Sequence, residues 1–171
     1  MLKRFLATGF AAALVAGAAM ADDVTDPQIA HIAYTAGQID IAAAQQALEK
    51  TKNPTILEFA RTMERDHKAV NDQALALVKK LNVTPEDNDI SKSLAADAQK
   101  KLDALAALEG DAFDKAYAEN EAAYHKAVNE ALSATLIPSA DNAELKSLLE
   151  TGLTLFMEHQ THAEHLAASV K

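Results

Sequence analysis

The sequence predicts an all-α protein, an antiparallel bundle of four long helices. Apolar residues recur at alternating spacings of three and four, which places them along one face of a helix. Polar residues followed by proline, a pattern typical of helix starts, precede two of these stretches. Short connectors join the first long helix to the second and the third to the fourth, and connectors of this length make consecutive helices antiparallel neighbours.

The first 21 residues have the pattern of a secretory signal peptide. Lys3 and Arg4 precede an apolar, alanine-rich run that ends in the small-x-small sequence Ala19-Met20-Ala21. The run is shorter than the roughly 20 apolar residues that span a bilayer, which favours cleavage over a retained membrane anchor. We therefore expect residues 1–21 to be removed, residues 22–171 to form a single domain, and the protein to be secreted across the inner membrane into the periplasm or cell envelope.

The composition of the mature chain excludes several classes of function. Without Lys3 and Arg4, 14 basic and 25 acidic residues remain, and the formal net charge changes from -9 to -11. A chain this acidic, without a basic patch, repels nucleic acid and anionic lipid. It has no cysteine, which excludes disulfides, thiolate ligands and a cysteine nucleophile. No segment after the signal peptide is apolar enough to span a membrane.

The first two long helices form a predicted hairpin. Asp26-Pro27 and Asn53-Pro54 each supply a capping side chain followed by proline in the first turn, and the helices run to about Lys50 and Leu81. Only residues 51–52 connect them.

Each helix of this hairpin has a polar residue in its apolar face. Asp40 interrupts the first and His67 the second. Counted outward from the turn, Asp40 lies level with Glu64, one helical turn from His67.

A longer connection follows the second helix. A break at residues 82–88 precedes an extra short helix over residues 90–108, and the third long helix is predicted at residues 112–136. Pro138 should end that helix. Asp141, with Glu144 three residues later, resembles a capping box for the fourth helix, which runs to the C-terminus.

The last two helices also contain polar residues among their apolar ones. Glu121 and His125 lie along one side of the third helix, and His159 occupies the middle of the apolar face of the fourth. Because the turn between these helices is short, Glu121 falls level with Phe156, one helical turn from His159.

These polar residues suggest a layer that holds a transition metal ion. Glu64 and His67 form a Glu-x-x-His pair, the spacing that helical bundles use to bind two iron or manganese ions. Carboxylate and imidazole together suit iron, manganese, zinc or copper. The pattern is incomplete, because the fourth helix has Glu158-x-x-x-His162 where a second such pair would stand. The candidate metal ligands are Asp40, Glu64, His67, Glu121, His125, His159 and His162.

A structural interpretation of the same residues stays open. Buried polar groups nearly always have hydrogen-bonding partners, and His67 and His159 could find theirs in Asp40, Asp66 or the backbone. The protein would then be a structural or interaction module whose acidic faces meet a partner in the cell envelope. The chain has no glycine-rich phosphate loop and no serine elbow, so the sequence assigns no catalytic residue, no organic cofactor and no particular oligomeric state.

Four groups of residues carry a resemblance to a known family. They are Ala36-Gly37-Gln38-Ile39-Asp40; Phe59-Ala60-x-x-Met63-x-x-Asp66-His67; Phe113-Asp114-x-x-Tyr117 with His125 eight residues later; and His159. Over about residues 26–168 the chain resembles the exported bacterial family known as domain of unknown function 4142. The resemblance implies a ferritin-like four-helix bundle in the periplasm or cell envelope, without an established activity. Asp40 stands where that family often has glutamate.

Overall fold

The computed structural model describes residues 24–170, and this part of the chain is helical, without a strand. The all-α prediction is therefore confirmed. The predicted signal peptide lies outside the described residues. The helices are α1 (Asp26–Lys50), α2 (Pro54–Leu81), α3 (Asp89–Ala106), α4 (Gly110–Ala131), α5 (Ile137–Ser139) and α6 (Ala143–Ser169), with a π-helical turn at Leu132–Leu136.

Two helical hairpins form the body of the molecule, α1 with α2 and α4 with α6. Asp40 contacts His67, and Gln45, further along α1, contacts Glu64, further back along α2. The two helices of this hairpin therefore run in opposite directions. The same reversed register relates α4 to α6.

Helix α3 carries the chain between the hairpins. It lies along α1, where the Gln46 side chain donates to the carbonyl of Leu102 at 3.0 Å and the Lys50 ammonium donates to that of Ala106 at 2.9 Å. Residue numbers rise together in these contacts, so α3 runs parallel to α1 and returns the chain to the end where α2 begins. As a result α4 runs in the same direction as α2.

The cap predicted for α2 is confirmed, but the one predicted for α1 is wrong. Asn53 accepts a hydrogen bond from the Thr55 amide at 3.0 Å. Helix α1 begins one residue earlier than expected, with Thr25 in the capping position, so Asp26 already belongs to the helix. Its carboxylate is therefore free to bind elsewhere.

Asp26 instead fixes the start of α6. It accepts from the backbone amides of Asp141 and Asn142 at 3.0 and 2.9 Å. The predicted cap at Asp141 is also wrong, because Asn142 accepts from the amides of Glu144 and Leu145. The first helix is thus tied to the turn that introduces the last one.

Pro138 does not end the third long helix as predicted. The helix widens into the π-helical turn and continues through Pro138, which lies within α5. Proline lacks a backbone donor and clashes with a carbonyl of the preceding turn, and the wider π-helical turn before Pro138 gives its ring room. Ser133 assists by donating to the carbonyl of Asn129 at 2.7 Å.

The core consists of two apolar clusters separated along the bundle by a polar section. The Phe59 cluster lies toward the turn between α1 and α2, and the Leu149 cluster lies toward the opposite end. The Phe59 cluster contains Ala43, Ala44, Ala47, Ile56, Phe59, Ala60, Met63, Leu105, Phe113, Tyr117, Ala118, Ala163 and Leu166. The Leu149 cluster contains Val24, Ile29, Ala30, Ile32, Leu132, Leu136, Ala140, Leu145, Leu149 and Phe156.

Between residues 24 and 170, no helix has both the length and the apolar content that a membrane crossing requires.

Candidate metal centre

Five polar side chains from the four long helices meet between the two apolar clusters. They are each only 1–4% exposed, and we call this group the polar layer. Its members are Asp40 of α1, His67 of α2, Glu121 and His125 of α4, and His159 of α6. Each helix has a buried apolar residue one turn away on the same face, so helical periodicity directs these side chains into the core; these residues are Ala44, Met63, Ala118 and Ala163.

Three donor atoms of the layer form a nearly equilateral triangle. Oδ2 of Asp40 lies 3.5 Å from Nε2 of His67 and 3.4 Å from Nε2 of His125. The two imidazole nitrogens are 3.4 Å apart. His159 completes the group, because its ring centroid lies 5.4 Å from those of both other histidines.

A backbone contact fixes the tautomer of His125. Its Nδ1 lies 3.0 Å from the carbonyl oxygen of Glu121, one turn earlier on the same helix. A carbonyl can only accept, so Nδ1 carries the proton. Nε2 of the neutral ring is therefore unprotonated and presents its lone pair to the triangle.

A carboxylate fixes His159 in a comparable way. Its Nε2 lies 3.1 Å from Oδ2 of Asp66. The Arg65 guanidinium, which bonds both carboxylate oxygens at 2.7 and 3.1 Å, holds the pKa of Asp66 below its usual range, with a smaller contribution from His159. Because an ionised carboxylate accepts, Nε2 of His159 donates and Nδ1 keeps the lone pair.

His67 is positioned by packing. Its ring stacks on that of Phe156, with centroids 4.6 Å apart and planes inclined by 12°. Burial, followed by the proximity of His125 and His159, lowers the pKa of His67 to about 2. Burial also lowers the pKa of His125 to about 4 and that of His159 below its usual value. All three imidazoles are therefore neutral near pH 7.

The two carboxyl groups of the layer titrate in the opposite direction. Burial raises the pKa of Asp40 to about 7, and the neighbouring Glu121 carboxyl partly offsets the effect. Burial and the adjacent charge of Asp40 raise the pKa of Glu121 well above its usual range.

Several buried atoms of the layer have no hydrogen-bonding partner within residues 24–170. They are both carboxylate oxygens of Asp40, Oε2 of Glu121, and Nδ1 of His67 and of His159. Hydrogen bonds within the protein account for both nitrogens of His125 and for one nitrogen each of His67 and His159. The structural interpretation leaves the unpaired atoms unexplained, although each unpaired buried polar atom lowers the stability of a fold by about 1–3 kcal/mol.

The structure brings together five of the seven predicted ligands. Glu64 lies at the surface, where it accepts from Gln45 at 3.0 Å and from Lys68 at 2.6 Å. His162 is exposed, with its ring edge-on to Phe59 at 5.0 Å. Each is three residues from a layer histidine, and three residues rotate a helix by about 300°, which leaves both about 60° off the inward face.

Two contacts that shape the layer were not predicted. One is the stacking of Phe156 on His67 described above. The other is the close approach of α1 and α2 at Gly37, where an added Cβ would lie 2.8 Å from Cγ and Nδ2 of Asn71. A glycine one turn before Asp40, facing a polar residue one turn after His67, is the sequence signal that could have revealed it.

The comparisons with known proteins agree with the sequence resemblance. The family model described as Domain of unknown function (DUF4142) matches residues 11–166. The chain therefore belongs to this family, and the match includes all five residues of the polar layer. No curated protein and no solved structure matches the chain.

Proposed function

We propose that this protein is an exported, ferritin-like helical bundle that binds a transition metal ion in its polar layer. One observation carries the proposal: the buried imidazoles of His67, His125 and His159 offer ligand atoms within 4.8 Å of one another, and the carboxylate of Asp40 lies 3.4–3.5 Å from two of these rings. The N-terminal signal-peptide pattern supports export to the periplasm or cell envelope. Two antiparallel hairpins joined by one long crossover support the ferritin-like arrangement.

The protonation states of the layer favour a cation. Metals bind the neutral form of imidazole, and burial keeps His67, His125 and His159 in that form. A bound cation would also compensate the carboxylate of Asp40, whose charge is unfavourable in an apolar interior. Metal binding therefore removes a cost that the layer otherwise carries.

The enclosure of the layer indicates how the ion would be used. Every donor residue is at most 4% exposed, and both neighbouring sections of the core are apolar. An ion held there is separated from solvent and from any substrate. This arrangement suits storage or detoxification, and we assign no catalytic residue.

Elemental analysis is the direct test. Untagged protein purified from its native compartment without chelator should contain about one equivalent of metal, the number that one donor group holds. Adding that metal to chelator-treated protein should raise the melting temperature, because a ligand specific for the folded state stabilises it.

The His67→Leu variant should lose both the metal and the thermal shift, whereas His162→Ala, which changes an exposed histidine of α6, should keep them. Protein that contains no metal, and melts identically with and without zinc, iron, manganese and copper, would refute metal binding. The polar layer would then serve packing, and a search for partners in the cell envelope would follow.

A further inference from the structure

The spacing of the donor atoms contains information about the ion itself. The three edges that join Oδ2 of Asp40, Nε2 of His67 and Nε2 of His125 measure 3.4, 3.4 and 3.5 Å. Donors about 2.1 Å from a tetrahedral ion lie about 3.4 Å apart. Adjacent donors about 2.1 Å from an octahedral ion lie only about 3.0 Å apart, because they subtend a right angle. The triangle matches one face of a tetrahedron.

The chemical nature of the donors points the same way. Three imidazole nitrogens and one carboxylate oxygen suit zinc and its neighbours among the later transition metals, whereas manganese, magnesium and calcium prefer sites dominated by oxygen. The second carboxyl group, Glu121, lies outside the triangle, with its Oε2 4.0 Å from Nδ1 of His125.

His159 supplies the fourth corner. Its Nδ1 is buried and has no hydrogen-bonding partner among residues 24–170, and ligand atoms of His159, His67 and His125 lie within 4.8 Å of one another. Asp66 determines which nitrogen is available, since it accepts from Nε2 and leaves the lone pair on Nδ1. Arg65 bonds both oxygens of that carboxylate, at 2.7 and 3.1 Å, and so holds its orientation. The side chain of Asp66 is 18% exposed and that of Arg65 is 71% exposed, so this support reaches from the surface to the layer.

We infer that the polar layer is a closed four-coordinate site for a zinc-like divalent ion, with Asp66 as the residue that positions His159 for it. This inference rests on the proposed function and makes it specific. The ion has four protein ligands: Asp40, His67 and His125 through the atoms of the triangle, and His159 through Nδ1. No position is left for water or substrate.

A comparison of two metals tests the geometry. Most protein sites bind nickel(II) more tightly than cobalt(II), in line with the general affinity order for divalent ions. A tetrahedral site reverses the order of these two affinities, because nickel(II) loses more ligand-field stabilisation than cobalt(II) when it becomes tetrahedral.

In competition titrations of the chelator-treated protein we expect cobalt(II) to bind about tenfold or more tightly than nickel(II), and zinc(II) to displace both. The cobalt(II) form should show the intense visible absorption of a tetrahedral ion. Nickel(II) binding as tightly as cobalt(II), or a weak octahedral cobalt spectrum, would overturn the inference while leaving metal binding intact. Failure of every ion to bind would overturn the proposed function as well.

Substitution of Asp66 tests the positioning. Asp66→Ala should weaken zinc binding by about 10–100-fold, the usual effect of removing a carboxylate that orients a histidine ligand. Asp66→Asn keeps an oxygen that can accept from Nε2 of His159, so its zinc affinity should fall by less than that of Asp66→Ala. Glu64→Gln is the matched control, because it changes a carboxylate of the same helix that does not contact a layer histidine, and it should bind zinc as the wild type does.

The melting temperature of each metal-free variant separates positioning from folding. A purely structural role for Asp66 would lower the melting temperature of the metal-free protein and leave zinc affinity per folded molecule unchanged. That result, or wild-type affinity in Asp66→Ala, would refute the role assigned to Asp66.

Discussion

The Phe59 cluster and the polar layer are neighbouring sections of the same bundle and are buried to the same degree, yet they contribute differently to stability. In the cluster, burial removes apolar surface from water and stabilises the fold. In the layer, burial strips water from Asp40, Glu121 and three histidines, and several of their atoms find no partner in the described part of the chain. Depth in the core therefore does not identify the residues that hold the molecule together. The layer is stable because apolar clusters lie on both sides of it.

The largest effect should come from breaking the cluster. Phe59 is fully buried and packs edge-on against Tyr117, with ring centroids 6.2 Å apart. Phe59→Ala removes most of a large apolar side chain and should lower the free energy of unfolding of the metal-free protein by about 3–5 kcal/mol. Urea denaturation measures this. A loss below about 1 kcal/mol would show that the cluster does not dominate stability.

The next effect concerns the glycine beside the layer. A methyl group at Gly37 would overlap the side chain of buried Asn71, so Gly37→Ala should cost about 1–3 kcal/mol. Gly152→Ala is the matched control, because the new methyl would meet only the ring of Phe156 at 3.6 Å, an ordinary contact. It should be neutral or stabilising by up to about 1 kcal/mol. Equal losses from both substitutions would contradict the proposed overlap.

A smaller effect should appear in the pH dependence of the metal-free protein. The pKa of His67 is 6.5 when unfolded and about 2 when folded. The unfolded chain therefore binds the extra proton, and the contribution of His67 to stability, present above pH 6.5, is lost as the pH falls toward 2. Asp40, whose pKa is raised to about 7, acts in the opposite direction. Its contribution to stability is lost as the pH rises through 7.

Comparison of the wild type with His67→Leu isolates the histidine. Between pH 6 and 4 the slope of unfolding free energy against pH should fall by about 1.4 kcal/mol per unit in the variant. Denaturant titrations at several pH values measure both slopes. Identical slopes would mean that His67 is not buried in its neutral form.

The smallest effect is expected outside the layer. Glu64 pairs with Lys68 at the surface, an interaction between helical neighbours that contributes little. Glu64→Gln should change the unfolding free energy by less than about 0.5 kcal/mol. A change above about 1 kcal/mol, measured by urea denaturation, would place Glu64 among the groups that stabilise the core.

Helical periodicity predicted the helices and most of the layer, because it reports which residues face inward. It identified His67 and His159. Counting residues outward from the two short turns then predicted that Asp40 and Glu121 lie near them. It failed for Glu64. The Glu-x-x-His spacing suggested a metal ligand there, although Glu64 is rotated by about 60° from the inward face of its helix. Spacing along a helix shows which residues share a side of it, but not which of them lie close enough to share an ion.

Other failures arose where a side chain acts on a distant part of the chain. Asp26 looked like a local cap, but its carboxylate binds amides 115 and 116 residues away. Asp66 adjoins His67 in sequence, yet it bonds to His159 on another helix. Local patterns cannot reveal such pairings, which depend on how helices are rotated and aligned against each other.

The arrangement of the layer also sets a time scale. Its donors come from four helices and are separated by long stretches of chain; His125, for example, lies 58 positions after His67. An ion bound there, as we propose, would exchange when a helix leaves the bundle, so its residence time would follow the frequency of that opening as well as the strength of its bonds. Mild denaturant, which favours such openings, would then speed the exchange of metal long before the protein unfolds.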